Sequence, residues 1–340
     1  MIEFIELTAA TQDIWNEYAK EHPHSEIHHL AQWAKIYEDS YNYKPYYFLL
    51  QENSRIVGLL PFIHQKGLLK NIIVTSPAGI LLDNPHNHNQ EVFRFISNLK
   101  NRLNASDIVI YNNYNLSHEF FVNWENIRVI KYLPDTINDL EKDIGKKRRW
   151  GVRKAEENGF THTIIEPSFN DLKVFYKIYS TNYRDLGTPV HSEKFFRKQL
   201  EYLHDNIRMM IVTKDNQPVC VKWLFIHKSG ILSSESAALR RFFPLRINYY
   251  QIFHAIKYSV EHGFKKYNMG RSQKETGAHS FKQSWGNCEI QEYPVYRMKN
   301  QSGISEKKKK YKLFIKVWQK TPLAITNIAG PILRKNMAFD

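Results

Sequence analysis

The succession of helix and strand signals runs along this chain twice, and that recurrence limits the available folds more than any single motif does. Within the first 130 residues, TQDIWNEYAKEH and HHLAQWAKIYEDSY carry apolar side chains at helical spacing, the second through Leu30, Trp33, Ala34 and Tyr37. PYYFLLQ and RIVGLLPFIH then form a plausible hairpin across the turn-prone Glu52-Asn53-Ser54. The β-rich IIVTSPAGILL, the amphipathic EVFRFISNLKNRL and the apolar DIVIYNN complete the set. The order recurs with helical IGKKRRWGVRKAEENG, stopped at Gly159, strand-like THTIIE, and the helices FNDLKVFYKIYSTNYRDLG and SEKFFRKQLEYLHD. Three strands with turns at Asp215-Asn216 and Lys228-Ser229-Gly230 follow, then helical YYQIFHAIKYSVEHG and the strands KKYNMG and QEYPVYRM. No residue-level self-similarity accompanies this, so the repeat is architectural. The pattern predicts an α+β chain of two similarly built domains, residues 1–134 and 135–300, hinged near Pro134-Asp135. Its 340 residues agree with that number at roughly 150 per domain.

Composition narrows the class. Apolar residues at 42% and charged ones at 24% suit chains that bury sizeable cores, which excludes a disordered chain or a collagen-like fibre. The two cysteines, Cys220 and Cys288, lie far apart and build neither a disulfide framework nor a zinc knuckle; both read as reduced thiols of a cytoplasmic protein. The amino terminus lacks the basic start of a signal peptide, and no apolar run approaches the ~20 residues of a spanning helix. The net charge of +14 is concentrated: residues 141–154 contribute 7 − 2 = +5 and residues 301–340 contribute 9 − 2 = +7. Such local basicity points to a polyanionic or membrane-facing partner rather than a nucleic-acid coat, and no DNA partner is expected.

Residues 301–340 read as a basic tail, opening with the charged linker NQSGISEKKKK. In YKLFIKVWQK, Lys312, Lys316 and Lys320 form one helical stripe and Leu313, Phe314, Val317 and Trp318 another; Pro322 and Pro331 interrupt the short apolar segment beyond. A basic amphipathic helix of this kind lies in an anionic membrane interface or docks on its own protein.

Among segments able to carry chemistry, YNMGRSQKETGAHSFKQSWG is the most informative. It places Arg271 and Ser272 at a strand end and Lys282 in a loop punctuated by Gly277 and Gly286, a setting suited to a phosphate or carboxylate. The turn Tyr183–Pro189 offers Arg184 to a cleft. Arg149 and Arg153 share a helix face, with Trp150 and Ala155 turned inward. The polar run Ser233-Ser234-Glu235-Ser236 at the end of an apolar strand suggests a cleft-lining strand. His22, His24, His28, His29, His86 and His88 lack zinc-ligand spacing, so no metal is expected. GxSxG is absent, as is any local sign of a Ser–His–Asp hydrolase.

Taken together, HHLAQWAKIY, RIVGLLPF, SPAGILL, KKRRWGVRKAEENG, FYKIYSTNYRDLGTPVHSEKFF and above all NMGRSQKETGAHSFKQSWG resemble the FemAB-like (Fem-type) acyltransferases of the GNAT superfamily, over most of residues 25–300. The resemblance implies two tandem GNAT-like domains, each a mostly antiparallel sheet flanked by helices. It also implies attack of an acceptor amine on an activated carboxyl group, with acyl-CoA or aminoacyl-tRNA as donor, and backbone N–H groups of a splayed strand holding the oxyanion. By that likeness Lys282 contacts substrate phosphate or the reacting acyl group, Arg271 and Arg184 line the same cleft, and Arg149 adds an anion contact. Glu235 becomes a candidate base. Two positions depart from relatives: Asn268 stands where they often carry Asp, and LRRFFPLRINYY has no glycine where ordinary GNATs cradle coenzyme A, leaving Arg240, Arg241 and Arg246 to hold an anion otherwise.

The resulting expectation is an N-acyltransferase acting on an amine of a cell-envelope glycan or a phosphate-bearing, lipid-linked precursor. It would work in the cytoplasm or on the inner face of the cytoplasmic membrane, with tRNA as one candidate donor. Its rivals are an acetyl-CoA-dependent GNAT acting on a soluble amino-sugar, and a catalytically silent GNAT-fold protein that binds a polyanion or membrane in polysaccharide assembly.

Overall fold

The computed structural model describes residues 2–67, 70–112, 120–298 and 304–336. They form two compact units, the first from residues up to Asn126 with 292–298 and 335–336, the second from Ile127–Gln291 with 304–334. The expected hinge at Pro134-Asp135 therefore falls inside the second unit, and the reason lies in how the sheets are completed.

The first unit runs β1 (Ile2–Glu6), α1 (Gln12–Glu21), α2 (Gln32–Tyr41), β2 (Lys44–Glu52), β3 (Arg55–Lys66), β4 (Asn71–Thr75), β5 (Leu81–Leu82), α3 (Pro85–Arg102), β6 (Asp107–Tyr111) and β7 (Phe121–Asn123). The second runs β8 (Asn126–Tyr132), α4 (Ile137–Asp143), α5 (Gly145–Glu156), β9 (Thr161–Ile165), α6 (Asp171–Leu186), α7 (Glu193–Leu203), β10 (Ile207–Lys214), β11 (Gln217–His227), β12 (Gly230–Ala238), α8 (Ile247–Glu261), β13 (Lys266–Gln273), α9 (Gly277–Gln283) and β14 (Cys288–Glu292). The strand β15 (Val295–Arg297) and the helices α10 (Ile304–Lys320) and α11 (Leu323–Asn336) end the chain. The first sheet is ordered β1-β2-β3-β4-β6-β15-β7, with β5 beside β3; the second is β9-β10-β11-β12-β13-β8-β14. The orders correspond strand for strand, but β15, from beyond the second unit, sits next to β6, while β8, from ahead of it, sits next to β13. The halves trade one strand each. This is why QEYPVYRM, expected as one strand, divides into β14 and β15 in different sheets.

Local chemistry explains the element ends. Asp215 and Asn216 both have positive φ (50° and 59°), as the tightest hairpins require, and they join β10 to β11. Asn53 and Ser54 (48° and 67°) do the same for β2 and β3. Helix α6 stops at Gly187, φ 79°, where a Cβ would also lie 2.5 Å from Ile315 Cγ2 of α10. In the second unit the sheet is covered on one side by α5 and α8, through Val152, Ala155, Phe253 and Ile256. On the other side Trp223 of β11 meets Phe175 of α6 and Phe196 of α7, ring centroids 4.8 and 5.5 Å apart.

Four expectations about local structure are corrected. Gly277–Gln283 is a short helix, because Thr276 caps it by accepting from the His279 N–H. Tyr183 and Arg184 lie in the last turn of α6 rather than in a turn between helices. Trp150 points outward, 43% exposed, under the Arg246 guanidinium at 4.3 Å. Instead Arg148 goes inward, stacked among Tyr249, Phe281 and Trp285 and donating to Ser284 O at 3.2 Å. The charged segment expected as a linker is helical from Ile304 onward, while residues 299–303 lie outside the described residues.

The exchanged strand β8 carries Lys131, which is fully buried and ion-paired with Asp143 at the end of α4. Asp143 also accepts from the Asn287 N–H at 2.9 Å, and Gly286 (φ 87°) makes room, since a Cβ there would lie 2.4 Å from Asp143 Oδ2. A buried ammonium whose partner is displaced costs several kcal/mol. Gly286→Ala is thus expected to lose ~3 kcal/mol or more. Gly263→Ala and Gly145→Ala, also at positive φ but with nothing near the new methyl, should lose only about 1 kcal/mol. Denaturant titration of the three variants checks the ranking.

Candidate active site

β12 and β13 run parallel and pair only from Gly230 to Leu232 against Lys266 to Asn268; beyond that point the sheet opens. Both strands carry devices that suit the opening. The β11–β12 register skips Ser234, so this residue is a bulge between Ser233 and Glu235. On β13 the Gly270 N–H turns back to Asn268 Oδ1 at 2.8 Å, and φ 73° at Gly270 permits that bend. The first sheet's counterpart, β4 against β6, also pairs in parallel over three residues, Ile72–Val74, but is then stitched shut. There Thr75 Oγ1 accepts from the Tyr111 N–H at 3.0 Å, and a Cβ on Gly79 would lie 2.0 Å from Tyr111 O.

A cavity of about 280 Å³ occupies the opening in the second unit, lined by Ser233–Ser236, Met269–Arg271, Lys222, Lys282, Tyr183, Ile252 and Tyr267. Strand alternation makes Lys222 face α8, where its Nζ donates to Ser236 Oγ (3.3 Å) and Gln251 Oε1 (3.4 Å). Lys222 is 3% exposed, and loss of water pulls its pKa down to about 8. Lys282, from α9, donates to Gly270 O (3.3 Å) and Arg271 O (2.9 Å). Burial, then Lys222, then Arg271 lower its pKa to about 8 as well. Among the described residues neither lysine has a carboxylate partner. Two ammonium groups beside a guanidinium, taken out of water against neutral partners, form a site prepared for an anion.

The carboxylate of the cavity, Glu235, lies on the α6 side and accepts the Tyr183 hydroxyl proton in a hydrogen bond. Loss of water pushes its pKa up, opposed by Tyr183 and by the Arg334 guanidinium. Arg334 comes from α11, its Nε 3.3 Å from His191 Nε2. Of the residues singled out in the sequence, Lys282, Glu235 and Arg271 thus meet in one cavity. Ser272 is buried on β13 but is not among the lining residues. Arg184 is engaged with Asp185 at 2.7 Å, and Arg246 stacks on Trp150 and Tyr249; neither lines the cavity. Arg149 and Arg153 line a separate, wider depression of about 540 Å³ with Lys146, Trp150, Glu141 and Glu156, where two carboxylates accompany the three bases. Lys222, Tyr183, Gln251 and Arg334 are what sequence reasoning did not select. A lysine inside the apolar run VCVKWLFI was the available signal for the first. No group of three or more His, Cys, Asp or Glu among the described residues could hold a metal ion.

Two duplicated sheets, the second with an open seam, define the tandem GNAT fold. Residues 141–283 match the family model Acetyltransf_6, described as acetyltransferase (GNAT) domain. FemX is similar over 92% of this chain and 100% of its own, with a TM-score of 0.64 at 13% identity. L-PGS from Bacillus licheniformis is similar over 93% and 99%, with a TM-score of 0.58 at 12% identity. A tandem GNAT protein from the clavulanic acid biosynthesis pathway follows over 89% and 100%, with a TM-score of 0.55 at 8% identity. The resemblance to Fem-type proteins carried by the motifs is therefore matched in the fold. No curated protein matches the sequence.

Lys222 provides a test of the site before any substrate is known. Its lowered pKa means that the unfolded chain binds more protons between about pH 8 and 10.5, so the penalty is complete below pH 8 and fades above it. Lys222→Met is expected to stabilise the ligand-free second unit by ~1–3 kcal/mol at pH 7, with the gain shrinking as pH rises past 8. Thermal melts at pH 7 and 9.5 read this; a variant less stable than the parent at pH 7 would refute the reading.

Proposed function

We propose that the chain is an N-acyltransferase that moves an acyl or aminoacyl group onto an amine of an anionic cell-envelope glycan or lipid-linked precursor. The observation that carries this is the open seam between β12 and β13, with Lys222, Lys282 and Arg271 on one side and the Glu235–Tyr183 pair on the other. The acceptor amine's lone pair forms the new C–N bond at the donor carbonyl carbon, and the carbonyl oxygen takes up the charge. Backbone N–H groups at the Ser234 bulge and the Lys282 ammonium are the donors available to that oxyanion. Collapse of the intermediate breaks the donor's C–O bond to a tRNA ribose or C–S bond to coenzyme A. The proton leaving the amine goes to Glu235 and on to the departing oxygen or sulfur, so charge and atoms balance. The remaining cations hold a phosphate or carboxylate of the substrate.

The Fem-type donor is favoured by the β12–α8 connection. It contains a 3₁₀ turn at Arg240–Phe242 and Arg246 at φ 62°, with no glycine to let a pyrophosphate approach the backbone. L-PGS and the C-terminal domain of the putative lysylphosphatidylglycerol synthetase from Agrobacterium fabrum, the latter with a TM-score of 0.60 at 10% identity, support an envelope-directed acceptor.

Ligand-induced thermal stabilisation separates the donors. Aminoacyl-tRNA at 100 times its dissociation constant should stabilise the protein by ~2.7 kcal/mol, and acetyl-CoA should leave it unmoved. Stabilisation by acetyl-CoA instead would favour a conventional GNAT donor, and silence from both would remove the donor assignment. Once turnover is assayed, Lys282→Ala is expected to lower kcat/KM on the order of 10²–10³-fold with the fold intact. The rate should rise with pH as Glu235 ionises, above the ordinary carboxylate range, and fall beyond about pH 8 as Lys222 and Lys282 lose their protons.

A further inference from the structure

The C-terminal helices have two unlike faces. Inward, Trp318 and Thr326 are buried, Gln319 donates to Asp185 O at 3.0 Å, and a Cβ on Gly330 would lie 2.9 Å from Val190 Cγ2. Together with Arg334 these contacts make α10, and α11 as far as Arg334, part of the second unit. The apolar stripe expected on α10 accordingly splits. Trp318 turns to the protein, stacked with Phe314 at 5.4 Å, while Leu313 and Val317 face water at 66% and 59% exposure. On α11, Ile325, Ile328 and Ile332 are 54%, 73% and 61% exposed. Their spacings, i to i+4 and i to i+3 to i+7, set each group in a row along one side of its helix. Lys312, Lys316 and Lys320 are exposed beside the first row, no acidic residue occurs from Lys312 to Asn336, and the sequence just ahead reads Lys307–Lys310.

Rows of large aliphatic side chains in water need an occupant, and the charge beside them chooses among occupants. A second copy would bring lysine row against lysine row. A nucleic acid would satisfy the lysines and leave the isoleucines wet. Neither helix is long and apolar enough to cross a membrane. We infer that the outer face of α10 and α11 docks in the plane of an anionic lipid bilayer, the aliphatic rows entering the acyl boundary and the lysines meeting head-group phosphates. This stands independently of the acyl-transfer reading.

The test is co-sedimentation of the full chain with phosphatidylcholine vesicles, with and without phosphatidylglycerol, at low and high salt. Binding is expected only with phosphatidylglycerol, weakening as salt rises. Joint replacement of Lys312, Lys316 and Lys320 by Gln should reduce it about five-fold per lysine. Joint Leu313→Ser, Val317→Ser and Ile328→Ser should reduce it on the order of ten-fold or more. These side chains are exposed, so an unchanged melting temperature is expected and certifies the fold. The inference is overturned if the parent ignores anionic vesicles, or if the serine variant binds them equally well. It is equally overturned if the same substitutions abolish a dimer or RNA binding while vesicles remain unbound.

Discussion

Two neighbouring strands that pair for three residues and then separate set the terms for everything else in the second unit. A sheet normally hides its backbone by zipping every strand to the next; where β12 and β13 stop doing so, their polar groups must find other partners or a ligand. The residues at the opening are chosen accordingly. Serines and Glu235 replace the branched side chains that would strengthen a strand, and Asn268 lends a side-chain oxygen to the Gly270 amide. The cavity that results is small enough for desolvation to matter, which is why the pKa of both its lysines, Lys222 and Lys282, is drawn below the ordinary lysine value.

The comparison within the molecule makes the same point by contrast. The first sheet begins the same separation after Val74 and Val109, yet Thr75 and the tight path at Gly79 close it. The fold tolerates either outcome, so the opening is a property of particular residues rather than of the architecture. An open seam costs stability through strand pairing forgone and charge buried, a pattern typical of sites kept for chemistry.

Much of this was legible in the sequence, because helix and strand periodicities survive duplication. The meander from Ile207 to Ala238 is legible with its turns in place, since Asp-Asn and Lys-Ser-Gly sequences punctuate chains strongly. Lys282, Arg271 and Glu235 were selected individually, and the fold gathers them. What stayed hidden was of two kinds. Strand exchange leaves no local mark: nothing in NIRVIKY or PVYR says which sheet will receive it. Partnerships across long separations are equally silent: the basic cluster does not mark Arg148 as its buried member, and nothing local joins Arg334 to Glu235. The meaning of Lys222 depends on Gln251 and Ser236, which only the folded chain brings near.

The traded strands also govern the order in which the molecule can come into being. As the chain leaves the ribosome, β6 has no neighbour on its outer side until Val295–Arg297 emerges, because that strand completes the ladder beginning at Tyr111. Throughout synthesis of the second unit the first therefore carries an unfinished edge, open to mispairing with any passing strand. A pairing of such sequence separation is reached slowly. The first half is thus not an autonomous folding unit, and a gene cut near Pro134, after β8, would encode two incomplete sheets rather than two domains.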